Sequence, residues 1–374
     1  MNDSKTATTD QAAQPAPRLI IDLAAIQRNY AALQRLAPSA QVGAVVKANA
    51  YGLGASRVVP TLADAGCRTF YVAHTAEGRE AREALAGREA DIFVFNGFWP
   101  SELDSLREAR LFPVINDLHQ LHQLRELAPD LPCAIHFDTG MNRLGLGPNG
   151  TQSLLDNPDW LAGLDVRQLM SHLACSHEAA HPLNARQLER FCAVRERFPD
   201  IPASFANSGG AMLDSRYHFD ILRPGLALYG GHPAHDCDDP FVPAVRVEAP
   251  VLQVRTIKAG DCAGYGAIFT ADREMRIATV ATGYADGLLR ACGDGGFGRI
   301  GGVKVPIIGR ISMDLTTVDL SAVTAPVAPG DWVSFLGEDI EPLARAAQTI
   351  TYEFLVRLGL RFDRVYLPGA PAAQ

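Results

Sequence analysis

The sequence has no surplus of basic residues and no long apolar run. Its 34 Lys and Arg residues against 42 Asp and Glu give a formal charge of −8, so the chain lacks the positive surface that phosphate backbones attract. Nucleic acid is therefore not expected as a partner. The first apolar run, LIIDLAAI, is interrupted by Asp22 and is far shorter than the roughly 20 residues that cross a bilayer, so no membrane span is expected.

Paired cysteine motifs and a secretory signal are also missing. The 7 cysteines are scattered, odd in number and without a CxxC pair, so we expect reduced thiols that act as small apolar residues. The opening MNDSKTATTDQAAQPAP is polar and predicts a loose tail over residues 1–17. These features together predict a soluble cytoplasmic protein. With 374 residues, 47% of them hydrophobic, the chain can bury a large core in one large domain or two.

Between residues 42 and 230, short strand-like runs alternate with helical segments, which is typical of a parallel sheet covered by helices. The runs are VGAVVKA, TFYVAH, ADIFVF, FPVIN, CAIHFD, VRQLMSH, ASFAN and FDILRP. Eight such units predict an α/β fold with a closed (β/α)8 TIM barrel over residues 18–242. Later Val/Ile-rich runs broken by glycine, such as MRIATVATGYADG, predict a second, mostly β domain over residues 243–374.

Polar side chains stand where the predicted barrel strands end. In barrels of this kind the reacting groups lie at the C-terminal ends of the strands. We therefore expect one mouth to hold Lys47, His136, Asp138, Arg143, His172, Asn207, Ser208 and Arg223.

Lys47 closes the apolar run in GAVVKANAYG. An ammonium group is costly to bury, so such a lysine is either solvent-exposed, the commoner case for a lone lysine, or chemically used. An amine can form a Schiff base with a carbonyl cofactor, most commonly pyridoxal phosphate. Tyr51, Ser208 and the turn at Gly225 and Leu226 could supply the hydroxyls and amides that its phosphate needs. Taken alone, Ser208 is more typical of a simple turn.

Eight motifs follow one another in order from about residue 18 to 366. They are AVVKANAYG, DTGMNRLG, SHLA, ANSGG, LRPGLALYG, GYGAIF, GYADG and GRISMD. In this order and spacing the sequence resembles the alanine racemases. The resemblance implies a (β/α)8 barrel followed by a β domain, pyridoxal phosphate as cofactor, and interconversion of L-alanine and D-alanine. It also implies a head-to-tail homodimer and D-alanine biosynthesis, while a role in D-alanine breakdown stays open.

The resemblance assigns the central chemistry to four residues. Lys47 resembles the Schiff-base lysine and the base on one face of the substrate carbon, and Tyr265 resembles the opposite base, contributed by the partner subunit. Because a free tyrosine has a pKa of about 10, Tyr265 needs help to lose its proton, and His172 resembles the helper. Arg223 resembles the arginine that donates to the pyridine nitrogen, which would weaken the electron sink and suppress side reactions. A salt bridge at the barrel rim is the plainer interpretation of Arg223.

The remaining residues surround this centre. Arg143 resembles the arginine that orients cofactor and substrate carboxylate, and the backbone amide of Met313 resembles a second carboxylate contact from the other subunit. Tyr284 and Arg310 are expected at the access channel, although Tyr284 also suits an aromatic core. The expected cofactor contacts are Lys47, Tyr51, His172, Asn207, Ser208, Arg223, Gly225, Leu226 and Tyr352.

One position departs from the family pattern. Many alanine racemases carry a carbamylated lysine two residues before the DTG, whose negative charge holds the substrate-binding arginine, and here that position is His136. An imidazole supplies no such charge. A bound anion such as chloride, a neutral hydrogen bond from His136, or a less firmly held Arg143 are the three alternatives, and we favour the bound anion.

Other functions fit the sequence less well. His172, Cys175, His177 and His181 crowd one segment, but their spacing matches no common zinc pattern, so no metal is expected. The glycine-rich GDGGFGRIGG lacks the ending of a phosphate loop and predicts a pair of β-turns. A pyridoxal-phosphate decarboxylase of this architecture would lack GYGAIF and GRISMD, and a non-catalytic cofactor-binding barrel would lack the second domain. A racemase of broader specificity, for serine or basic amino acids, stays open.

Overall fold

The computed structural model describes residues 16–234 and 240–369. The predicted loose tail, except for its last two residues, and Cys237 lie outside the described residues. Within the described part, none of the helices combines the length and apolar character that crossing a bilayer requires.

The first sheet is a barrel of parallel strands, as the alternating pattern predicted. All eight predicted runs contribute, and the first is split at Gly43, so its halves pair with the last strand on one side and the second on the other. A Cβ at Gly43 would lie 2.7 Å from the Tyr71 ring, so the backbone passes that ring only as glycine. The strands are Gln41–Val42, Ala44–Val45, Thr69–Val72, Asp91–Val94, Phe112–Ile115, Cys133–His136, Val166–Met170, Ala203–Ser204 and Ile221–Leu222.

Helices follow most of the barrel strands and bury one face against them. Side-chain caps fix two of their starts: Asp22 accepts from the amide of Ala25 at 2.9 Å, and Asp117 from that of Gln120 at 2.8 Å. The helices are Leu23–Leu36, Ala55–Asp64, Thr75–Leu85, Leu103–Glu108, Leu118–Leu127, Pro148–Asp156 and Pro182–Arg197, and the short segment Lys47–Tyr51 is left-handed from Ala48 onward.

The second sheet is mostly antiparallel, and two helices, Ile340–Ala346 and Thr351–Arg357, accompany it. The glycine-rich GDGGFGRIGG forms a hairpin between Phe297–Ile300 and Val303–Pro306, in line with the predicted turns. The strands are Arg18–Asp22, Val245–Ile257, Met275–Val280, Phe297–Ile300, Val303–Pro306, Thr316–Asp319, Trp332–Leu336 and Asp363–Leu367, with Cys262–Ala263 and Phe269–Thr270 as a separate pair.

One strand lies in a different sheet from the one the sequence suggested. Arg18–Asp22 falls in the range predicted for the barrel, yet it pairs with Val245–Ile257 and Asp363–Leu367 of the second sheet. The Arg18 guanidinium also lies 4.2 Å from the centroid of the Trp332 ring. A short apolar run such as LII indicates a buried strand but carries no information about which sheet will receive it.

Asn29 joins the first helix to the segment that connects the two sheets. Its side chain is fully buried, and its amide nitrogen donates to the carbonyls of Leu228 and Val242 at 3.1 and 2.9 Å. Its carbonyl oxygen accepts from the amide of Val242 at 2.8 Å. A single side chain therefore satisfies three backbone groups where the chain leaves the barrel.

We expect Asn29→Ala to lower the free energy of unfolding by about 2 to 4 kcal/mol, because buried backbone groups lose their partners. Urea unfolding followed by circular dichroism measures the change. Gln34→Ala, at an exposed position of the same helix, is the control and should shift stability by about 0.5 kcal/mol at most. Equal effects of the two substitutions would contradict the role given to Asn29.

Candidate active site

The strand ends bring the predicted charged residues to one mouth. His136 ends its strand, and Lys47, His172 and Arg223 follow theirs within two residues. Burial lowers the pKa of His172, and the charges of Arg223, Arg143 and Lys47 lower it further. Parallel barrel strands end on the same side of the barrel. Both the strand order and the charges that act on His172 therefore place these residues in one site.

Lys47 is half-buried beside an aromatic ring. Its Nζ lies 5.9 Å from the centroid of the Phe95 ring. Burial lowers the pKa of Lys47, the positive charge of Arg143 lowers it further, and Glu77 partly opposes the shift. More of the amine is therefore neutral, and so nucleophilic, than for a lysine in water.

The backbone after Lys47 runs through a left-handed turn that L-residues rarely adopt. Ala48, Asn49, Ala50 and Tyr51 have φ between 52° and 54°. Glu77 holds the start of the turn by accepting from the amide of Ala48 at 2.7 Å. Asn49 holds its end by accepting from the amide of Ala55 at 2.7 Å. Sequence reasoning missed Glu77, and this fixed turn sets the direction of both Lys47 and Tyr51.

A small cradle lies next to this turn. A Cβ at Gly225 would lie 2.1 Å from the Tyr51 hydroxyl, so only glycine admits that hydroxyl. Ser208 Oγ accepts from the amides of Gly225 and Ala227 at 3.0 and 3.1 Å. These bonds use both of its lone pairs and leave its hydrogen free to donate. Burial raises the pKa of Tyr51, so that hydroxyl also stays protonated. Two hydroxyl donors converging in a glycine-lined space fit a phosphate group.

Arg223 is a buried cation whose hydrogen bonds go to neutral groups. Its side chain is 3% exposed and donates to Ser204 Oγ and to the carbonyl of Ser171. Among the described residues, no carboxylate forms an ion pair with it. Burial lowers the pKa of Arg223 to about 10, which leaves it charged at neutral pH. A site built around such a charge favours an anionic or lone-pair-bearing ligand.

His172 is held as a neutral imidazole. Desolvation and the charge of Arg223 lower its pKa well below the usual range. Asn207 Oδ1 accepts from Ser176 Oγ and from the amide of Gly210, so the Asn207 amide nitrogen points to His172 Nε2, at 3.5 Å. Gln187, which the sequence did not single out, donates to the His172 carbonyl at 2.9 Å.

The remaining predicted residues belong to the second domain. Tyr352 joins the cradle, with its ring centroid 6.0 Å from that of Tyr51. Tyr265, Met313 and Tyr284 are 70%, 53% and 42% exposed, and the Tyr265 hydroxyl makes no hydrogen bond with any described residue. Arg310 is also exposed. Its guanidinium lies close to the residue after Tyr265, because a Cβ at Gly266 would be 2.8 Å from Arg310 Nη1.

An ion-pair clamp joins the loops that carry Tyr284 and Met313. The amide of Tyr284 donates to the carbonyl of Ser312 at 3.1 Å. Arg361 donates to Asp286 at 2.8 Å and to Asp314 at 2.7 Å, and so bridges the GYADG and GRISMD motifs. The clamp was not predicted, although each motif contains one of its aspartates.

The candidate zinc residues do not assemble. Across the described ranges, no three His, Cys, Asp or Glu side chains are arranged to hold a metal ion. His181 instead accepts from the amide of Leu183 at 3.2 Å at the start of its helix.

These features define a barrel protein with a desolvated lysine and a cradle of hydroxyl groups at the strand ends, followed by a second, mostly β domain. Its residues 21–233 match the alanine racemase N-terminal domain and residues 244–366 the alanine racemase C-terminal domain. The chain belongs to the alanine racemase family, which confirms the resemblance seen in the motifs.

Relatives and solved structures share this organisation throughout. A protein of Agrobacterium fabrum named "Alanine racemase, catabolic" is 44% identical over 95% of this chain and 93% of its own length. The alanine racemase of Rhizobium meliloti is 41% identical over 94% of this chain and 97% of its own. The crystal structure of alanine racemase from Bartonella henselae, with covalently bound pyridoxal phosphate, superposes with a TM-score of 0.89 at 37% identity. The superposition covers 94% of this chain and 100% of the Bartonella henselae chain.

We expect Gly225→Ala to weaken binding of pyridoxal phosphate at least about tenfold, because the new methyl group displaces the Tyr51 hydroxyl from the cradle. Fluorescence titration of the apoprotein measures the dissociation constant. Gly147→Ala is the control, since a Cβ there meets no atom within 4 Å. Unchanged affinity in Gly225→Ala would show that the cradle does not hold the phosphate.

Proposed function

We propose that this chain is a pyridoxal-phosphate-dependent racemase that interconverts L-alanine and D-alanine by a two-base mechanism. The observation that carries the proposal is the half-buried Lys47, with a lowered pKa, on the same fixed turn as Tyr51. Membership of the alanine racemase family over both domains supports alanine as the substrate and disfavours the decarboxylase alternative.

The cofactor would be held by groups already in place. Tyr51, Ser208, the turn at Gly225 and Leu226, and Tyr352 would hold the phosphate, and Lys47 would bind the carbonyl carbon. Arg223 would donate to the ring nitrogen, with His172 and Asn207 beside it. Bound pyridoxal phosphate supplies a conjugated ring that accepts the electron pair released when the substrate carbon loses its proton.

The chain's own residues then move the proton. Lys47 Nζ takes it from, or returns it to, one face of the substrate carbon, and the lowered pKa keeps that amine ready to accept. The Tyr265 hydroxyl serves the opposite face. Arg143 and the amide of Met313 bind the substrate carboxylate and fix which bond faces the bases. His172 is neutral in the resting site, and its Nε2 faces the donating amide of Asn207, so its hydrogen resides on Nδ1. That N–H would donate to the Tyr265 oxygen and ease loss of the phenol proton.

We infer that the working unit is a homodimer with shared sites. Tyr265, Met313, Tyr284 and Arg310 lie on one exposed face of the second domain, and a proton donor needs water excluded around it. Covering that face with the barrel mouth of a second copy would complete two sites at once. In such a dimer residues 18–242 would supply the barrel mouth and residues 243–374 the face that covers it, although the strand Arg18–Asp22 pairs with the second sheet.

We also propose that the enzyme works in the cytoplasm and supplies D-alanine. Racemisation is an equilibration, so the same site would serve D-alanine breakdown if D-alanine were the abundant isomer. Tyr284 and Arg310 at the access channel would set how far serine or basic amino acids are accepted.

Chirality-resolved product analysis tests the function. The purified holoenzyme, incubated separately with L-alanine, L-serine and L-lysine, should yield D-alanine fastest, and Lys47→Ala should yield none. Release of carbon dioxide and an amine from L-lysine would show a decarboxylase. Equal rates on serine or lysine would show the broader racemase, and no D-alanine from fully loaded enzyme would refute the proposal.

Mixing two inactive variants tests the shared site. In a dimer of Lys47→Ala and Tyr265→Phe subunits, one of the two sites regains both bases. An equimolar, fully exchanged mixture should therefore recover about a quarter of wild-type activity, because half the dimers are mixed and half their sites are intact. Each variant alone is the control. If activity stays absent after exchange is verified by mass spectrometry, Tyr265 acts within its own chain or not at all.

A further inference from the structure

Asn116 holds His136 in one orientation at the barrel mouth. His136 Nδ1 lies 2.8 Å from Asn116 Oδ1, and Asn116 is 5% exposed. The Asn116 amide nitrogen donates to the carbonyls of Phe95 and Val114 at 2.9 and 3.0 Å. Both of its hydrogens are therefore used on backbone acceptors, so the oxygen must be the atom that faces His136.

This contact also decides where the imidazole hydrogen resides. Because Asn116 Oδ1 is purely an acceptor, His136 Nδ1 must carry a hydrogen. Burial and the positive charges of Arg223 and Arg143 lower the pKa of His136 to about 3, while Asp138 opposes them. His172, the other titratable group coupled to it, is itself neutral. A neutral ring with its hydrogen on Nδ1 has a bare lone pair on Nε2.

The lone pair of His136 Nε2 is unpartnered among the described residues and is accessible to solvent. Within the described ranges, His136 Nε2 makes no hydrogen bond, and it is absent from the buried polar atoms that lack one. The Cδ2 edge of the ring lies against Gly145, where a Cβ would be 3.2 Å away. The amide of Leu146 donates to the His136 carbonyl at 2.7 Å, which ties the loop carrying Arg143 to this strand end.

Arg143 donates to no protein acceptor among the described residues. Its side chain is exposed and makes no hydrogen bond or ion pair with any described residue. Guanidinium groups only donate, so a lone pair beside the loop suits Arg143, whereas an N–H would repel it. An anion, in contrast, would face the lone pair of Nε2 and be disfavoured there.

We propose that Asn116 is a positioning residue that fixes His136 as a neutral acceptor, and that His136 Nε2 orients Arg143 toward the substrate carboxylate without a bound anion. The inference rests on the proposed function and replaces the bound anion favoured from the sequence. Because no negative charge offsets Arg143, its full charge stays available to the substrate.

Nitrogen NMR of histidine-labelled holoenzyme tests the tautomer independently of activity. The spectra of wild type and His136→Gln identify the signals of this ring. We expect the neutral form with the hydrogen on Nδ1 throughout pH 6 to 8, since the pKa of His136 is lowered to about 3. A hydrogen on Nε2, or a charged ring in this range, would overturn the proposal whether or not the enzyme racemises alanine.

Kinetics test the link to Arg143. His136→Gln keeps an acceptor and should leave KM for alanine within about threefold of wild type. His136→Leu should raise KM about tenfold, because one charge-assisted hydrogen bond to Arg143 is lost, and should change kcat less than twofold. Replacing chloride by gluconate should leave wild-type KM unchanged. A KM that depends on chloride in wild type, or equal KM values in both variants, would refute the role of His136 as acceptor.

Asn116→Asp tests the positioning residue itself. A carboxylate beside Nδ1 favours the charged ring, which puts a hydrogen on Nε2, so KM should rise at low pH and recover as pH increases. The substitution also removes the donors to the carbonyls of Phe95 and Val114, so circular dichroism and the stability of the variant are measured first.

Asn96→Asp is the control for a carboxylate beside an exposed histidine, because the Asn96 amide nitrogen lies 3.1 Å from Nδ1 of His74. Identical pH profiles for the two variants would contradict the proposal. If neither the holoenzyme nor any variant forms D-alanine, the proposed function fails, and the NMR result still decides the tautomer.

Discussion

The buried charge of Arg223 constrains the rest of the barrel mouth. Within the part of the chain that the structure describes, its hydrogen bonds go to neutral acceptors, Ser204 Oγ and the carbonyl of Ser171, and not to a carboxylate. Burial lowers the pKa of both His172 and His136, and the charge of Arg223 lowers them further, so both imidazoles stay neutral. An uncompensated cation at the centre of a site is costly in the free protein, and that cost is relieved by a ligand that brings negative charge or a lone pair.

Rigid backbone complements this electrostatic arrangement. The left-handed turn after Lys47 is held at both ends by side-chain acceptors, and it places the Tyr51 hydroxyl where only Gly225 can face it. A reaction that must remove a proton on one face and return it on the other tolerates little rotation of the substrate. The left-handed backbone conformation of this turn is strained, and it holds Lys47 in one position.

The second domain contacts the cradle of its own chain through Tyr352, but its exposed loops contribute through their position. Tyr265 and Met313 are exposed, while the Arg361 ion pairs and the Tyr284 amide hold their neighbouring loops in a defined arrangement. A preorganised but uncovered face is what an interface requires, since ordering it beforehand lowers the entropic cost of association. The shared-site dimer that we propose would use this property.

The sequence by itself determined the barrel, the second β domain and the set of polar residues at the mouth. The reason is local: alternating strand and helix patterns require parallel strands, and parallel strands bring their ends to one side. Only the tertiary structure decided that Arg18–Asp22 joins the second sheet and that Glu77 and Gln187 support the site. It also decided that Asn116 orients His136, because hydrogen-bond partners and desolvation depend on residues that meet only after the chain has folded.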